Sequence, residues 1–298
     1  MFKRYELHNH TTESDASITC KELVDLMVRD GADAFALTDH NTISGHRIVK
    51  KLLKEGNAPI QCVYGMEYTT YYGHILCLNL NQYVPWDSID RRHPEKLFEA
   101  CRAAGALTGI AHPFSFGHPF ARGCRFDMTV TDFSCVDFIE VFNNPEPLHD
   151  VNERGLKWWE SLTLAGENLA VTAGMDLHGD WDMAMNFATY VEASEPFDAA
   201  ADLARAIRAR RTWISKGMLV SWEDLGDAVR YTLTDVHKRG YSAQAPYTLT
   251  LTDPSGEHAY LIGPDGLTLP KAAVQIPKLY AGQPILENLV CVAPVVRA

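Results

Sequence analysis

The apolar positions of this chain change their period again and again, and each change marks an element. Tyr5-Glu6-Leu7 alternates as a short strand, and Thr11 to Ser17 is a polar loop. Thr19-x-x-Glu22 then carries a capping-box signature. Cys20, Leu23, Val24 and Met27 recur at i, i+3, i+4 and i+7, and Gly31 closes the predicted helix. Asp33 to Thr38 is a brief apolar run of the kind that a buried parallel strand presents. A helix is predicted from about Ser44 to Glu55, with Gly56 as its stop. Strands follow at Gln61 to Met66 and Gly73 to Leu80. Leu97, Ala100, Cys101 and Ala104 stripe the next helix, which leads into a strand from Ala106 to Ala111. The alternation continues with a strand at Asp137 to Phe142, a helix from about Val151 to Asn168 and a strand at Leu169 to Gly174. It ends with a strand at Asn186 to Glu192, a helix striped by Ala200, Leu203, Ala204 and Ile207, and a strand at Thr212 to Ser215.

Repeated strand–helix units predict an α/β fold with a parallel sheet, and closure into a barrel fits that number of strands. Past Lys216 the pattern differs. Ser221-x-x-Asp224 with Trp222, Leu225, Val229 and Val236 predicts a helix stopped by Gly240. Tyr247, Leu249 and Leu251 then alternate with threonines, and the turns Pro254-Ser255-Gly256 and Gly263-Pro264-Asp265-Gly266 follow. The expected organisation is therefore a domain over residues 1–216 and a helix plus β-rich extension over 217–298.

Composition narrows the class. The chain has 298 residues, of which 46% are hydrophobic, enough for one large core or a core with an appendage. Its net charge of −11 argues against extended nucleic-acid binding, which needs Lys and Arg to neutralise phosphates. It leaves room for a small anionic substrate in a locally positive pocket. The seven cysteines are scattered, with no Cys-x-x-Cys, as expected of a reduced, cytoplasmic protein. Neither an apolar signal core nor a membrane-length apolar run is present, so no membrane association is expected.

The candidate chemistry lies at the ends of the predicted strands. His8 and His10, spaced i, i+2, project to one face of an extended chain, and His40, Glu67, His112, Asp176 and His178 each follow a strand. Asp15 lies in the first strand-to-helix loop. His74 begins its strand, so that strand must run the opposite way, or bend, to share the face. Functional residues of α/β barrels gather at the carboxyl ends of strands, and imidazoles mixed with carboxylates suit divalent metals.

His8-Asn9-His10, Asp15, Thr38-Asp39-His40, Gly65-Met66-Glu67, Gly73-His74-Ile75, Ala111-His112-Pro113 and Asp176-Leu177-His178 resemble the successive motifs of the PHP (polymerase and histidinol phosphatase) family. The resemblance covers about residues 1–215. It is strongest to the free-standing nucleotide and nucleoside-bisphosphate phosphatases. It implies a distorted seven-stranded β/α (TIM-like) barrel and two or three divalent ions, with Mn, Zn and Fe all compatible with the ligands. Carried over by position, it implies one metal on His8, His10, Glu67 and Asp176, a second on Asp15, His40 and His178, and a third on Glu67, His74 and His112. Glu67 would then be a bridge and the chief catalytic carboxylate. The implied reaction is hydrolysis of a small phosphate monoester, a nucleotide among the candidates, by a metal-bridging hydroxide attacking phosphorus. Residues 217–298 match none of the family's motifs.

Two other functions stay open on the sequence: hydrolysis of a carboxylic or carbamate ester at the same metals, and a catalytically inactive binding protein. Asp39 reads equally as a loop cap and as a group that orients His40 or protonates the leaving group. Arg122 and Arg125 are candidate phosphate contacts. His46, His93, His118, His149, His237 and His258 read as ordinary histidines, Lys216 as a solvated lysine, and Trp158-Trp159 as helix-to-barrel packing.

Overall fold

A computed structural model describes residues 1–87, 93–116, 122–144, 150–236 and 240–298, without the side chains of Arg122 and Asp150. Thus His118, His149 and His237, and the side chain of Arg122, lie outside the described residues.

The first half follows the expected alternation. Strand β1 (Phe2–Glu6) is followed by helix α1 (Cys20–Asp30), β2 (Ala34–Leu37) and α2 (Gly45–Gly56). The Thr19–Glu22 capping box forms in both directions, and Gly31 takes the left-handed conformation (φ 73°) that lets it bond back to the helix carbonyls. Gly56 remains within α2, and the left-handed stop falls one residue later, at Asn57. Next come β3 (Gln61–Thr70), β4 (Gly73–Leu78), α3 (Glu95–Ala103), β5 (Leu107–Ile110), β6 (Phe138–Phe142), α4 (Asp150–Leu164) and β7 (Ala170–Ala173). Then follow β8 (Ala188–Glu192), α5 (Ala199–Arg208) and β9 (Thr212–Ser215).

The sheet is mixed rather than wholly parallel. β1, β2 and β3 run parallel, as do β5, β6 and β7. The two-residue turn Tyr71-Tyr72 is too short for a crossover, so β4 returns antiparallel to β3, the direction His74 requires. No helix separates β7 from β8, and β8 runs antiparallel to β1. One core joins Tyr5, Leu7, Ala36, Val63, Leu76, Leu107, Phe138, Ala170 and Val191 from eight strands to Leu203 and Ile207 of α5, so the sheet curls around a shared interior. Main-chain pairing nevertheless gives a 14-stranded sheet instead of a closed seven-stranded ring. Among the described residues, β7 meets its would-be neighbours through side chains: the Thr189 hydroxyl bonds Ala173, and the Thr212 hydroxyl donates to the Val171 carbonyl. Trp159 is buried where α4 covers the sheet, as expected of the Trp pair.

The extension departs most from expectation. The predicted helix at Ser221–Val236 is a hairpin of β10 (Met218–Asp224) and β11 (Ala228–Asp235), with Trp222 opposite Tyr231. β-Branched and aromatic residues on both sides of a Leu225-Gly226-Asp227 turn favour strands, and the helical spacing of the apolar residues is coincidental. β12 (Tyr247–Asp253), β13 (Gly256–Ile262), β14 (Leu267–Pro270), β15 (Val274–Tyr280), β16 (Leu289–Val292) and β17 (Val296–Arg297) complete the chain. β16 pairs with β9, Cys291 opposite Ser215, so the extension prolongs the main sheet. No described helix is long and apolar enough to cross a membrane.

Candidate metal centre

The turns that end the strands deliver their side chains to one point, and that point is Glu67. Its carboxylate is fully buried. Oε1 lies 2.9 Å from His74 Nδ1 and 3.0 Å from His112 Nε2. Oε2 lies 2.8 Å from His40 Nδ1, 3.3 Å from His8 Nε2 and 3.5 Å from His10 Nε2. Asp176 closes the other side, with Oδ1 3.0 Å from His10 Nε2 and 3.4 Å from His8 Nε2. Asp15, from the first loop, stands 3.3 Å from His178 Nε2 and 3.5 Å from His40 Nε2. All nine sequence candidates for metal ligation therefore meet in one cluster. Two of its members, His112 (φ 28°) and Asp176 (φ 50°), hold left-handed backbone, a conformation that costs a non-glycine residue about 1–3 kcal/mol and that these turns impose.

The donors fit a divalent cation. Among the described residues, His8 Nε2 is buried with no hydrogen-bond partner, 3.3 Å from Glu67 Oε2 and 3.4 Å from Asp176 Oδ1, a costly arrangement that a cation between these atoms would relieve. Four overlapping sets have ligand atoms in mutual reach: His10, Asp15, His40 and His178; His8, His10, Glu67 and Asp176; His40, Glu67 and His74; and His8, His112 and Glu140. The first two include the groupings implied for the first and second metals. In the third implied group, His40 rather than His112 falls within reach alongside Glu67 and His74.

The charges are strongly interdependent. Burial alone would raise the Glu67 carboxyl, but His74 and His8, with the bonds from His112 and His40, hold it well below the usual carboxylate range. Burial is likewise outweighed at Asp176, which His8 and His10 depress. Burial disfavours charge on His8, yet Glu140, Glu67 and Asp176 raise it well above an ordinary histidine. His112 rises to about 9 because its bond to Glu67 overcomes burial, and His10 falls to about 4 because burial prevails. A metal ion entering this cluster displaces those imidazole protons.

A cleft of about 510 Å³ opens onto Asp15, His40 and His74, walled by Ser14, Thr69 and Cys124. His8, His10 and Glu67 are fully buried, while the Asp15 side chain on the cleft wall stays 59% exposed. The segment after Arg122 lies against the β3–β4 hairpin so closely that a Cβ on Gly123 would stand 2.2 Å from the Thr70 carbonyl oxygen.

The remaining sequence candidates fall elsewhere. Asp39 is buried and accepts from Thr11 N (2.7 Å), the Thr11 hydroxyl and the Ser14 hydroxyl (2.7 Å), so it braces the loop that carries Asp15. This is the cap role, and neither a bond to His40 nor an acid role has support in the geometry. His40 is oriented instead by the Thr69 hydroxyl. Arg125 is half exposed, with Nε 3.8 Å from Asp127. Lys216 is not solvated: it is buried, with Nζ 5.0 Å from the Phe187 ring centroid, and burial lowers its pKa. Sequence reasoning missed Glu140, whose oxygens lie 3.0 and 3.1 Å from His8 Nδ1. The available signal was a lone carboxylate within the apolar run Phe138–Phe142. It also missed the Cys124 carbonyl, 3.1 Å from His112 Nδ1.

Comparison with known proteins agrees with this arrangement. Residues 6–107 match the PHP domain. An uncharacterised protein of Methanocaldococcus jannaschii is 32% identical over 152 residues, covering 46% of this chain and 80% of that protein. A 5'-3' exoribonuclease of Haemophilus influenzae is 35% identical over 89 residues, covering 28% of this chain and 32% of the nuclease. The structure of a Bacteroides vulgatus protein, described as a two-domain protein containing a predicted PHP-like metal-dependent phosphoesterase, aligns with 99% of this chain and 95% of its own. Its TM-score is 0.58 at 17% identity, a likeness of fold. The PHP match covers the strand ends from His8 to His74, so this chain carries a PHP domain over residues 6–107.

Proposed function

We propose that this chain is a cytoplasmic, metal-dependent hydrolase of a small phosphate monoester, with nucleotides among its candidate substrates. Residues 1–216 would form the catalytic domain and 217–298 an extension of it. His8, His10, Glu67 and Asp176 would hold one ion, Asp15, His40 and His178 a second, and Glu67, His74 and His112 a third. The observation that carries this reading is the convergence of six imidazoles and three carboxylates in one cluster, with the buried His8 Nε2 unpartnered among the described residues. Bound divalent ions supply positive charge for phosphate oxygens and an activated water. The chain's own part is to keep bulk water from the fully buried His8, His10 and Glu67 and to admit substrate beside Asp15, His40 and His74.

Metal-loaded protein assayed with Mn²⁺, Zn²⁺ or Fe²⁺ should release phosphate from p-nitrophenyl phosphate or nucleoside monophosphates, and chelation should abolish the release. No phosphate release by protein carrying any of the three metals would refute the reading. Turnover confined to a parallel panel of naphthyl esters would reassign the same centre to carboxylic-ester hydrolysis.

A further inference from the structure

We propose that Glu140 is a positioning residue for the metal centre, fixing His8 as the tautomer that carries its proton on Nδ1 and turns the Nε2 lone pair inward. The inference rests on the metal-binding reading above.

Glu140 sits in the middle of β6, fully buried among apolar neighbours, where an unpaired carboxylate costs several kcal/mol. Its partner is His8, likewise fully buried and 132 residues away in sequence. Both oxygens face the same ring nitrogen, at 3.0 and 3.1 Å. A carboxylate only accepts, so Nδ1 donates, and a neutral ring must then present Nε2 as its lone-pair nitrogen. Nε2 is the nitrogen that lies 3.3 Å from Glu67 and 3.4 Å from Asp176, with no hydrogen bond among the described residues.

The backbone makes room for this pair. A Cβ on Gly174, directly after β7, would stand 2.5 Å from Glu140 Oε1 and 2.5 Å from His8 Cβ. The β6–β7 ladder also shifts register between Glu140 and Phe142, and such irregularities re-aim side chains.

The competing assignment makes Glu140 a ligand together with His8 and His112, since the three are in mutual reach. The bonding of Glu140 disfavours it: both of its oxygens are turned to His8 Nδ1, while His8 faces Glu67 and Asp176 with Nε2. An anionic acceptor behind a ligand imidazole raises its basicity and holds its plane, an effect of about 10–100-fold on metal affinity.

The test uses Glu140→Gln, His8→Ala and the double variant, loaded with Mn²⁺ or Zn²⁺. Metal content and affinity are read by elemental analysis and competition with a chromophoric chelator. Glu140→Gln should keep the wild-type stoichiometry and bind about tenfold more weakly. Glu140→Ala, where it folds, should bind more weakly still. In the His8→Ala background, Glu140→Gln should change nothing further, because the effect passes through His8. Loss of a whole metal equivalent in Glu140→Gln would make Glu140 a ligand and overturn the proposal. An unchanged affinity, or an equal loss with His8 absent, would overturn it as well. If the wild-type protein takes up no divalent metal, the hydrolase reading falls together with this one. If the wild type loads and Glu140→Gln matches it, only this one falls.

Discussion

Glu67→Gln is the sharpest single perturbation of the centre, because one carboxylate faces five imidazoles and, on the proposed assignment, two metals. Oε1 serves His74 and His112 at 2.9 and 3.0 Å, and Oε2 serves His40 and His8 at 2.8 and 3.3 Å. Glutamine keeps the shape but replaces one oxygen by an NH₂ that cannot accept, and leaves the other neutral. One face of the bridge is therefore lost and the other weakened. Interactions with a charged group contribute about 1.5–3 kcal/mol each, so the combined loss is about 3–5 kcal/mol. At 1.36 kcal/mol per decade, kcat/KM should fall by about 10²- to 10⁴-fold. The assay is p-nitrophenyl phosphate turnover at saturating Mn²⁺, with metal content measured on the same sample. Arg125→Ala is the comparator. Its side chain is half exposed beside Asp127, so its loss should stay within about tenfold. A folded Glu67→Gln protein with wild-type metal content and kcat/KM within tenfold of wild type would refute the bridging role.

Two further predictions concern stability. Lys278 Nζ lies 2.6 Å from Glu160 and 2.7 Å from Glu257, tying α4 to the extension, so Lys278→Ala should lower unfolding free energy by about 2–3 kcal/mol in urea melts at pH 8. Burial opposes the Lys278 charge, but Glu160 and its other neighbours hold the pKa above the usual lysine range. The folded state thus binds the proton more tightly, and the difference between wild type and variant should shrink as pH rises above about 10.4. His46 is the reverse case: it is buried with Nε2 2.8 Å from the Gly65 carbonyl, and burial lowers its pKa. The unfolded chain then binds the proton more readily, so stability is lost as pH falls below about 6.5. The urea midpoint should drop more between pH 7.5 and 5.5 in wild type than in His46→Gln, and equal drops would contradict this.

The metal candidates were legible because parallel strands deliver their carboxyl ends to one face whatever their order, so residue type at each strand end carried the information. His74 was the exception that sequence could handle, since a two-residue turn leaves only an antiparallel return. What stayed hidden depended on pairings that no local pattern records. Glu140 is a carboxylate in an apolar run, and only the placement of β6 across from β1 reveals that it faces His8. Asp39 adjoins His40 in sequence, yet its oxygens turn to Thr11 and Ser14, because the first loop needs an acceptor. In the extension, Trp222, Leu225 and Val229 satisfy a helical spacing and a hairpin almost equally well, and the outcome was decided by partners far along the chain. Tyr231 and Val229 pack in a core with Tyr190 and Trp213 from β8 and β9, and Cys291 continues the sheet from Ser215. The extension therefore backs β8, whose Thr189 bonds Ala173 three residues before Asp176. By that route, residues matching no catalytic motif support the turn that carries a metal-ligand candidate.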